Sequence, residues 1–195
     1  LLSKFLRVVF YGGEFISAYT LLMTCNTRVL FLCMGNICRS PTAEGVFREK
    51  VRLAGLADRV SIDSAGTHNY HPGEAPDARS QRHAKARGYD ISDLRARVLR
   101  AEDFERFDLL VVMDEANFAT VRARLPEDAR SKLRRMMEFS AYHSARRALE
   151  VPDPYYGEAA DFERVLDMVE AASEGLVAHV RAQIQRADSA RPALD

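Results

Sequence analysis

Cysteine and tryptophan are scarce in this chain of 195 residues. It has three cysteines, all in the first fifth of the sequence, and no tryptophan. A secreted domain held by disulfides would need more cysteines, spread more widely, and no Cys or His spacing typical of a zinc site occurs. We therefore expect a protein of the reducing cytoplasm that needs no metal or other cofactor.

Net charge is also missing. The 28 Lys and Arg residues balance the 28 Asp and Glu residues. A nucleic-acid-binding protein typically carries a strong basic surface, which this balance does not favour. The sequence also lacks an unbroken apolar run of about 20 residues, the length of a membrane-spanning helix. We expect no nucleic-acid partner and no stable membrane insertion, and the oligomeric state stays open.

The first 22 residues differ from the rest. They mix apolar residues with Lys4, Arg7 and Glu14, and they lack the continuous apolar stretch of a signal peptide. We interpret residues 1–22 as an N-terminal extension outside the fold, with a weak membrane-associating segment as the alternative. Residues 23–186 then form a single domain, and residues 187–195 form a polar tail.

Short apolar runs alternate with helical patterns along the main domain. Four runs are typical of buried strands: residues 28–33, 60–63, 107–113 and 133–139. Four segments have helical spacing: residues 41–54, 78–87, 115–125 and 162–184. This alternation predicts one α/β domain with a mostly parallel sheet and helices on both of its faces.

The first predicted strand ends at Cys33, which opens the string Cys-Met-Gly-Asn-Ile-Cys-Arg-Ser-Pro. Ligands of α/β folds bind at the carboxyl ends of the strands. A loop there, followed at once by a helix, can turn its N–H groups around a tetrahedral oxyanion. We expect Gly35 to supply the backbone freedom for this curvature and Arg39 to offer a planar fork to two oxygens.

Cys33 is the predicted nucleophile. Thiols at helix N-termini and beside cations ionise more readily than free thiols, so we expect a thiolate here. Ser40, the predicted N-cap, could donate its hydroxyl to the sulfur, and Asn36 could adopt a left-handed conformation and brace the loop. The alternative is a buried cysteine that only packs, which the complete string between strand and helix disfavours.

Asp153 is the predicted acid. Pro154 disfavours a helical conformation at Asp153, so the carboxyl lies on an extended loop. A leaving oxygen departs poorly without a proton, and Asp153 could supply one. Tyr155 and Tyr156 could wall a pocket for an aromatic substrate. By itself, Asp-Pro before a helix is usually only a turn.

These motifs resemble the low-molecular-weight protein tyrosine phosphatase family from about residue 27 to residue 184. The resemblance rests on four segments: residues 29–41, residues 63–67 (Asp-Ser-Ala-Gly-Thr), residues 107–117 with their Met-Asp-Glu-Ala-Asn ending, and residues 153–156 (Asp-Pro-Tyr-Tyr). It implies a four-stranded parallel sheet in the order 2-1-3-4. It also implies hydrolysis of phosphotyrosine or other aryl phosphate monoesters through a cysteinyl-phosphate intermediate, without a metal.

The resemblance also implies roles for single residues. Cys33 attacks phosphorus, Arg39 clamps the phosphoryl oxygens, and Asp153 protonates the leaving phenol and then activates water. Ser40 assists the thiolate, Ser64 supports the loop together with Asn36, and Cys38 can form a reversible disulfide with the nucleophile. The implied substrate-binding residues are Met34, Gly35, Asn36, Ile37, Cys38, Ser40, Tyr70, Tyr155 and Tyr156.

One departure and two alternatives remain. Some family members support the loop with a His where this chain has Arg87, and His83 is out of register, so the outer support is unassigned. An arsenate reductase-like enzyme shares the oxyanion loop but needs a cysteine well downstream, and none follows Cys38. A non-catalytic phosphate-binding adaptor is expected to have lost Cys33, Arg39 or Asp153. The natural substrate, a phosphotyrosine protein or a small aryl phosphate, stays open.

Overall fold

Strands and helices alternate along the part of the chain that the computed structural model describes, residues 8–11, 14–17, 27–141 and 150–190. The strands are β1 (Val8–Tyr11), β2 (Glu14–Ser17), β3 (Thr27–Cys33), β4 (Val60–Gly66), β5 (Leu109–Val112) and β6 (Leu133–Arg135). The helices are α1 (Arg39–Leu53), α2 (Ala78–Ala86), α3 (Ala101–Arg106), α4 (Glu115–Arg124) and α5 (Ala159–Ser189). Short 3-10 turns span Ala57–Arg59, Glu127–Lys132 and Met136–Phe139.

The main sheet has four strands in the order β4-β3-β5-β6, and all three pairings are parallel. Counted from β3, this is the predicted order 2-1-3-4. β3 lies inside the sheet, and its residues 29–32 are fully buried. Burial on both faces explains why this strand is a continuous apolar run with no polar alternation.

The side chains of β3 alternate between two cores. Phe31 packs edge to face on Phe47 of α1, with ring centroids 5.5 Å apart, in the core that α5 also covers. Leu30 and Leu32 lie in the other core, together with Phe104 of α3. Helices therefore cover both faces of the sheet, as predicted.

Two strand boundaries differ from the predictions by three residues or more. β4 continues past residue 63 to Gly66, because Gly66 still pairs with Cys33 at the end of β3. β6 ends at Arg135, before the predicted residue 139. There the Arg135 N–H donates to the Glu138 carboxylate, and residues 136–139 form a 3-10 turn.

Among the helices, the largest differences from the predictions are at α3 and α5. α3 was not predicted, since it has only six residues; Asp103 caps it by accepting the Arg100 N–H at 2.9 Å. α5 runs to Ser189, so the first three residues of the predicted polar tail are helical. None of the described helices combines the length and apolar character needed to cross a membrane.

β1 and β2 pair antiparallel, with Val8 opposite Ser17, in a two-stranded sheet of their own. The rest of residues 1–22, together with Cys25, lies outside the described residues. The interpretation of residues 1–22 as an extension outside the fold therefore stays a prediction, as does the domain start at residue 23.

Candidate active site

The loop of residues 34–38, here called the phosphate loop, joins the end of β3 to α1. Carbonyl groups of the loop and of Cys33 just before it accept hydrogen bonds from backbone N–H groups outside the loop. Cys33 O accepts from Thr67 N at 2.8 Å, Met34 O from His68 N at 3.0 Å, and Ile37 O from Asp77 N at 2.8 Å. In a trans peptide the next N–H points opposite to the carbonyl. The N–H groups of residues 34, 35 and 38 are therefore turned inward.

The bend of the loop falls at Asn36, whose φ is 58°. Its N–H also points inward and donates to Cys33 Sγ at 3.3 Å. The left-handed conformation predicted for Asn36 is confirmed, whereas the role given to Gly35 was wrong, because Gly35 is not among the residues with positive φ. Gly35 matters for space: a Cβ there would lie 3.1 Å from His71 Cδ2.

Gly66 allows β4 to approach the loop. A Cβ on Gly66 would lie 2.8 Å from Met34 O and 2.9 Å from His68 O, closer than carbon and oxygen atoms normally come. A larger residue would push the strand and the loop apart. The Gly in the Asp-Ser-Ala-Gly-Thr segment is therefore required by packing.

A buried polar network supports the loop. The Asn36 side-chain amide donates its two hydrogens to Ser40 Oγ and Ser64 Oγ, both at 2.9 Å, and its Oδ1 accepts the Arg97 N–H at 2.9 Å. The predicted contact between Asn36 and Ser64 is confirmed. Ser40 lies in the first turn of α1 and caps nothing, so its prediction as N-cap was wrong; Cys38 holds that position.

Ser40 Oγ lies 3.1 Å from Cys33 Sγ. Since Ser40 Oγ accepts from Asn36, its own hydrogen is available to donate to the sulfur. Asn36 and Ser40 are 2% and 0% exposed and do not line the cavity described below. Their side chains hold the nucleophile from behind, and the prediction that Asn36 and Ser40 bind substrate stays a prediction.

Arg39 is 2% exposed and lies between two carboxylates. Nη1 donates to Asp114 Oδ2 at 2.5 Å and to Val151 O at 3.2 Å, and Nη2 donates to Asp153 Oδ2. Burial lowers the pKa of Arg39, but the charges of Cys33, Asp153 and Asp114 outweigh this effect and raise it. Arg39 is therefore a permanent cation at the centre of the site.

Arg39 Nε is buried and has no hydrogen-bond partner among the described residues. A buried donor of a charged group that is left unpaired costs free energy. An oxyanion in the phosphate loop would pair this donor and meet the inward N–H groups of the loop at the same time. The site is thus built to bind an anion.

Asp114 was not predicted as a site residue. It follows β5 directly and caps α4 by accepting the Asn117 N–H at 2.7 Å through Oδ1, while Oδ2 holds Arg39. β5 and β3 are parallel neighbours, so their carboxyl ends meet at one edge of the sheet. That rule and the Met-Asp ending of the strand were the signals that could have indicated it.

Asp153 reaches the same edge from a distant part of the chain. Its side chain is 44% exposed, Oδ1 accepts the Tyr155 N–H at 3.1 Å, and Oδ2 holds Arg39. Upstream, the Val151 N–H donates to Met113 O at 2.7 Å and ties this segment to the end of β5. The predicted nucleophile, clamp and acid are therefore in one place.

A cavity of about 510 Å³ opens over the sulfur. Tyr70 and Tyr156 are exposed at its mouth, at 61% and 97%, and His68 stacks on Tyr70 with ring centroids 5.3 Å apart. His71, the neighbour of Tyr70 in the sequence, also lines the cavity. The lining residues are Cys33, Met34, Gly35, Ile37, Cys38, Arg39, Tyr70, His71, Asp153, Tyr155 and Tyr156.

Cys38 lines the cavity as a free thiol and is 5% exposed. Burial, reinforced by the charge of Asp77, raises the pKa of Cys38 to about 12. It packs with Ile37, Ala96 and Phe162 in a small apolar cluster beneath the phosphate loop. At neutral pH Cys38 is therefore a protonated thiol.

Arg87 does not support the phosphate loop. It pairs with Glu163, Asp167 at 2.8 Å and Glu170 at 3.0 Å, and so holds α2 against α5. His83 pairs with the same Glu163 at 2.5 Å. Besides the predicted partner Ser64, the backbone N–H of Arg97 supports the loop by donating to Asn36 Oδ1.

Comparisons with known proteins agree with this geometry. Residues 28–186 match the family described as low molecular weight phosphotyrosine protein phosphatase. A low molecular weight protein-tyrosine-phosphatase of Streptomyces coelicolor is 44% identical over 158 residues, which cover 81% of this chain and 96% of that protein. The low molecular weight phosphotyrosine protein phosphatase of Rattus norvegicus is 39% identical over 137 residues, 70% of this chain and 85% of that protein.

A solved structure is similar over the same region. The crystal structure of a protein tyrosine phosphatase from Entamoeba histolytica superimposes with a TM-score of 0.77 at 37% sequence identity. The match covers 81% of this chain and 99% of that one. Similarity in sequence and in fold therefore extends over the part of the chain that builds the site.

Proposed function

This chain belongs to the low molecular weight phosphotyrosine protein phosphatase family, and from that premise we propose that it hydrolyses phosphotyrosine and other aryl phosphate monoesters through a phosphocysteine on Cys33. One observation carries the proposal. Cys33 Sγ lies inside a loop whose N–H groups turn inward, beside a buried arginine whose Nε has no partner among the described residues. The same arginine binds Asp153, the first of residues 153–157, here called the Asp153 segment. This arrangement suits a tetrahedral dianion with a leaving group above it.

In the first step, the Cys33 thiolate attacks phosphorus. The S–P bond forms, the P–O bond to the aryl group breaks, and Asp153 gives its proton to the leaving oxygen. The loop N–H groups and Arg39 stabilise the charge on the three remaining oxygens. Arg39 holds the Asp153 carboxylate before substrate arrives, and the phosphate dianion replaces that carboxylate on Nη2. The released Asp153 takes up from solvent the proton that it then gives to the leaving oxygen.

In the second step, water attacks phosphorus and the S–P bond breaks. Asp153, now a carboxylate, takes a proton from the water, and phosphate is released. The Ser40 hydroxyl, 3.1 Å from Cys33 Sγ, donates to the departing thiolate. Ser40 thus stabilises the same charge before attack and after departure.

The mouth of the cavity supports an aromatic substrate. Tyr70, Tyr155 and Tyr156 line it, and the two adjacent tyrosines contact each other edge to face, with centroids 4.9 Å apart. Aromatic rings pack well on such surfaces. We propose phosphotyrosine in proteins as the substrate class, with small aryl phosphates as the alternative.

The direct test compares wild type with Cys33→Ser on p-nitrophenyl phosphate, using Cys38→Ser as the matched cysteine variant. We expect Cys33→Ser to lose activity by about a thousandfold or more, because the hydroxyl is a poor nucleophile without a base, and Cys38→Ser to keep measurable turnover. Rapid acid quenching of wild type with a radiolabelled aryl phosphate should leave the label on Cys33. A wild type that binds phosphate but turns nothing over would favour the adaptor alternative.

We also propose that Cys38 protects Cys33 from oxidation. Peroxide oxidises the more reactive Cys33 thiolate to a sulfenic acid; the Cys38 thiol then attacks that sulfur, and water leaves as the disulfide forms. Without Cys38, further peroxide carries the sulfenic acid on Cys33 to the irreversible sulfonic acid. After prolonged peroxide treatment, dithiothreitol should therefore restore activity to wild type but not to Cys38→Ala. Equal recovery of the two proteins would contradict the disulfide.

We propose the reducing cytoplasm as the compartment. Catalysis needs Cys33 with a reduced, unbonded sulfur, and a reducing environment maintains it in that state. Fractionation of producing cells would test this: phosphatase activity should appear in the cytoplasmic fraction, and recovery outside it would contradict the assignment.

A further inference from the structure

Two side chains at the start of α2 connect the phosphate loop to the Asp153 segment. Asp77 donates its N–H to Ile37 O of the loop at 2.8 Å. Its carboxylate is held by Arg79, through Nε at 3.0 Å and Nη2 at 2.8 Å. The same Nη2 donates to Tyr155 O at 2.9 Å. A continuous series of contacts therefore runs from Ile37 through Asp77 and Arg79 to Tyr155.

The guanidinium of Arg79 is also fixed by packing. Its Cζ lies 4.7 Å from the ring centroid of Phe162 and 5.7 Å from that of Tyr155. Phe162 is 3% exposed and belongs to the cluster beneath the phosphate loop. A planar fork that binds a carboxylate at two points and rests on a buried ring has little freedom to turn.

The Asp77 carboxylate, which binds Arg79, is itself held in place. It caps α2 by accepting the Arg79 N–H at 2.8 Å. The hydrogen bonds from the Arg79 side chain, followed by that from its backbone, outweigh partial burial and lower the pKa of Asp77. Asp77 is therefore a carboxylate throughout the neutral range.

The Asp153 segment has few other anchors. Among the described residues, the other hydrogen bonds of residues 153–157 are internal, from Tyr155 N to Asp153 Oδ1 and from Gly157 N to Pro154 O, or run from Arg39 to Asp153. The nearest upstream anchor is Val151, which bonds to Met113. The Arg39 contact is the one that phosphate replaces in the proposed reaction. Once substrate is bound, the Val151 N–H bond to Met113 O still holds the chain upstream of Asp153, and the bond from Arg79 to Tyr155 O holds it downstream.

We propose that Arg79 is a positioning residue, which holds the backbone of the Asp153 segment against the phosphate loop so that the carboxyl reaches the leaving oxygen. This inference rests on the proposed function, since it assumes that Asp153 is the general acid. Arg79 does not line the cavity and touches no reacting atom. Its effect therefore passes entirely through Asp153.

The test uses two substrates that differ in their need for an acid. Phenyl phosphate has a poor leaving group, whereas p-nitrophenyl phosphate leaves readily without a proton. For Arg79→Ala we expect kcat/KM to fall about tenfold or more on phenyl phosphate and at most about threefold on p-nitrophenyl phosphate, because misplacement of a catalytic group is costly only where that group is needed. Arg79→Lys, which keeps the charge but lacks the fork, should fall in the same direction.

Arg82 provides the matched control. It lies on the same helix, is exposed, and has no ion pair among the described residues. Arg82→Ala removes the same charge and should leave both kcat/KM values within about twofold of wild type. The inhibition constant of inorganic phosphate should also be unchanged in Arg79→Ala if the phosphate loop is intact.

The decisive measurement is a double-mutant cycle. In the Asp153→Ala background, Arg79→Ala should cost no further activity on phenyl phosphate, since the group it positions is gone. Equal losses on the two substrates, no loss on either, or full additivity with Asp153→Ala would each overturn the proposal. An inactive wild type would instead contradict the proposed function, so the two failures are distinguishable.

Discussion

Glu44 lies on α1, one turn beyond Ser40, and is 7% exposed. Burial raises its pKa to about 7; a hydrogen bond from Ser64 and the charge of Arg48 lower it, and the charges of Asp63 and Asp93 add to the rise. Ser64 is also a partner of the phosphate-loop amide. A titrating carboxyl therefore lies directly behind the support of the nucleophile.

The pH dependence of stability should reveal Glu44. A Glu in an unfolded chain titrates near ~4.3, so the folded state holds its proton more tightly. The contribution of protonated Glu44 to the free energy of unfolding is fully present below pH ~4 and is lost as pH rises through about 7. Glu44→Gln should therefore gain about 2 kcal/mol relative to wild type between pH 5 and pH 8 in urea denaturation. A constant difference between the two proteins would contradict this.

At the scale of residues, the sequence was most informative where the functional residues lie within one short segment. Cys33 and Arg39 belong to one short string, and Asp153 precedes a proline, so their surroundings could be predicted without the fold. For Asp114 the sequence indicates only a position after a strand, at the edge of the sheet where ligands bind, and its contact with Arg39 depends on long-range packing. His71 follows Tyr70 in the sequence, but only the fold shows that it lines the cavity.

Two helices show how an element boundary also serves the site. Asp77 caps α2 and Asp114 caps α4, each by accepting a backbone N–H through its side chain. The second oxygen of each carboxylate binds an arginine, Arg79 and Arg39 respectively. The residues that begin these helices thus also orient the two guanidinium groups on which the site depends.

The packing of α5 predicts that one Gly to Ala substitution in this helix lowers stability, opposite to the usual effect. Gly to Ala normally stabilises a helix interior by about 1 kcal/mol. At Gly175, however, a Cβ would overlap the carbonyl oxygen of Phe139 and lie 3.0 Å from its carbonyl carbon. We expect Gly175→Ala to destabilise the protein by about 1–3 kcal/mol in thermal or urea unfolding. The exposed neighbour Glu174→Ala should change little, and a stabilised Gly175→Ala would refute the close contact.

Element type was easier to predict than element extent. The buried strands and α5 have apolar patterns that few alternatives fit, and these elements are where the sequence placed them. β4 runs three residues further than predicted because its pairing with β3 overrides the polar sequence around Ser64. α3 is too short for any periodicity, and it depends on a single cap at Asp103.

Over the whole molecule, the anion site collects segments that are far apart in sequence. The ends of β3, β4 and β5, the start of α2 and the Asp153 segment all meet there. An anion that binds only this assembled site stabilises the entire fold, by about 2.7 kcal/mol at a hundred times its dissociation constant. The unfolding temperature therefore reports on the integrity of the site.

We predict that inorganic phosphate raises the unfolding temperature of wild type, with sodium chloride of equal ionic strength as the control. Arg39→Lys should show a smaller rise, because an ammonium group cannot pair two oxygens in one plane. Asp153→Asn should bind phosphate about fivefold more tightly, since it removes both a negative charge and the competitor for Arg39. Weaker binding by Asp153→Asn would contradict the exchange of carboxylate for phosphate.

Tyrosines at the mouth of the cavity can report ligand binding through their own fluorescence. Three of its seven tyrosines, Tyr70, Tyr155 and Tyr156, stand around the opening. With no tryptophan in the chain to take up their excitation energy, ultraviolet emission comes from tyrosine alone. Occupancy of the cavity can thus be followed by intrinsic fluorescence, without attaching a dye to the protein.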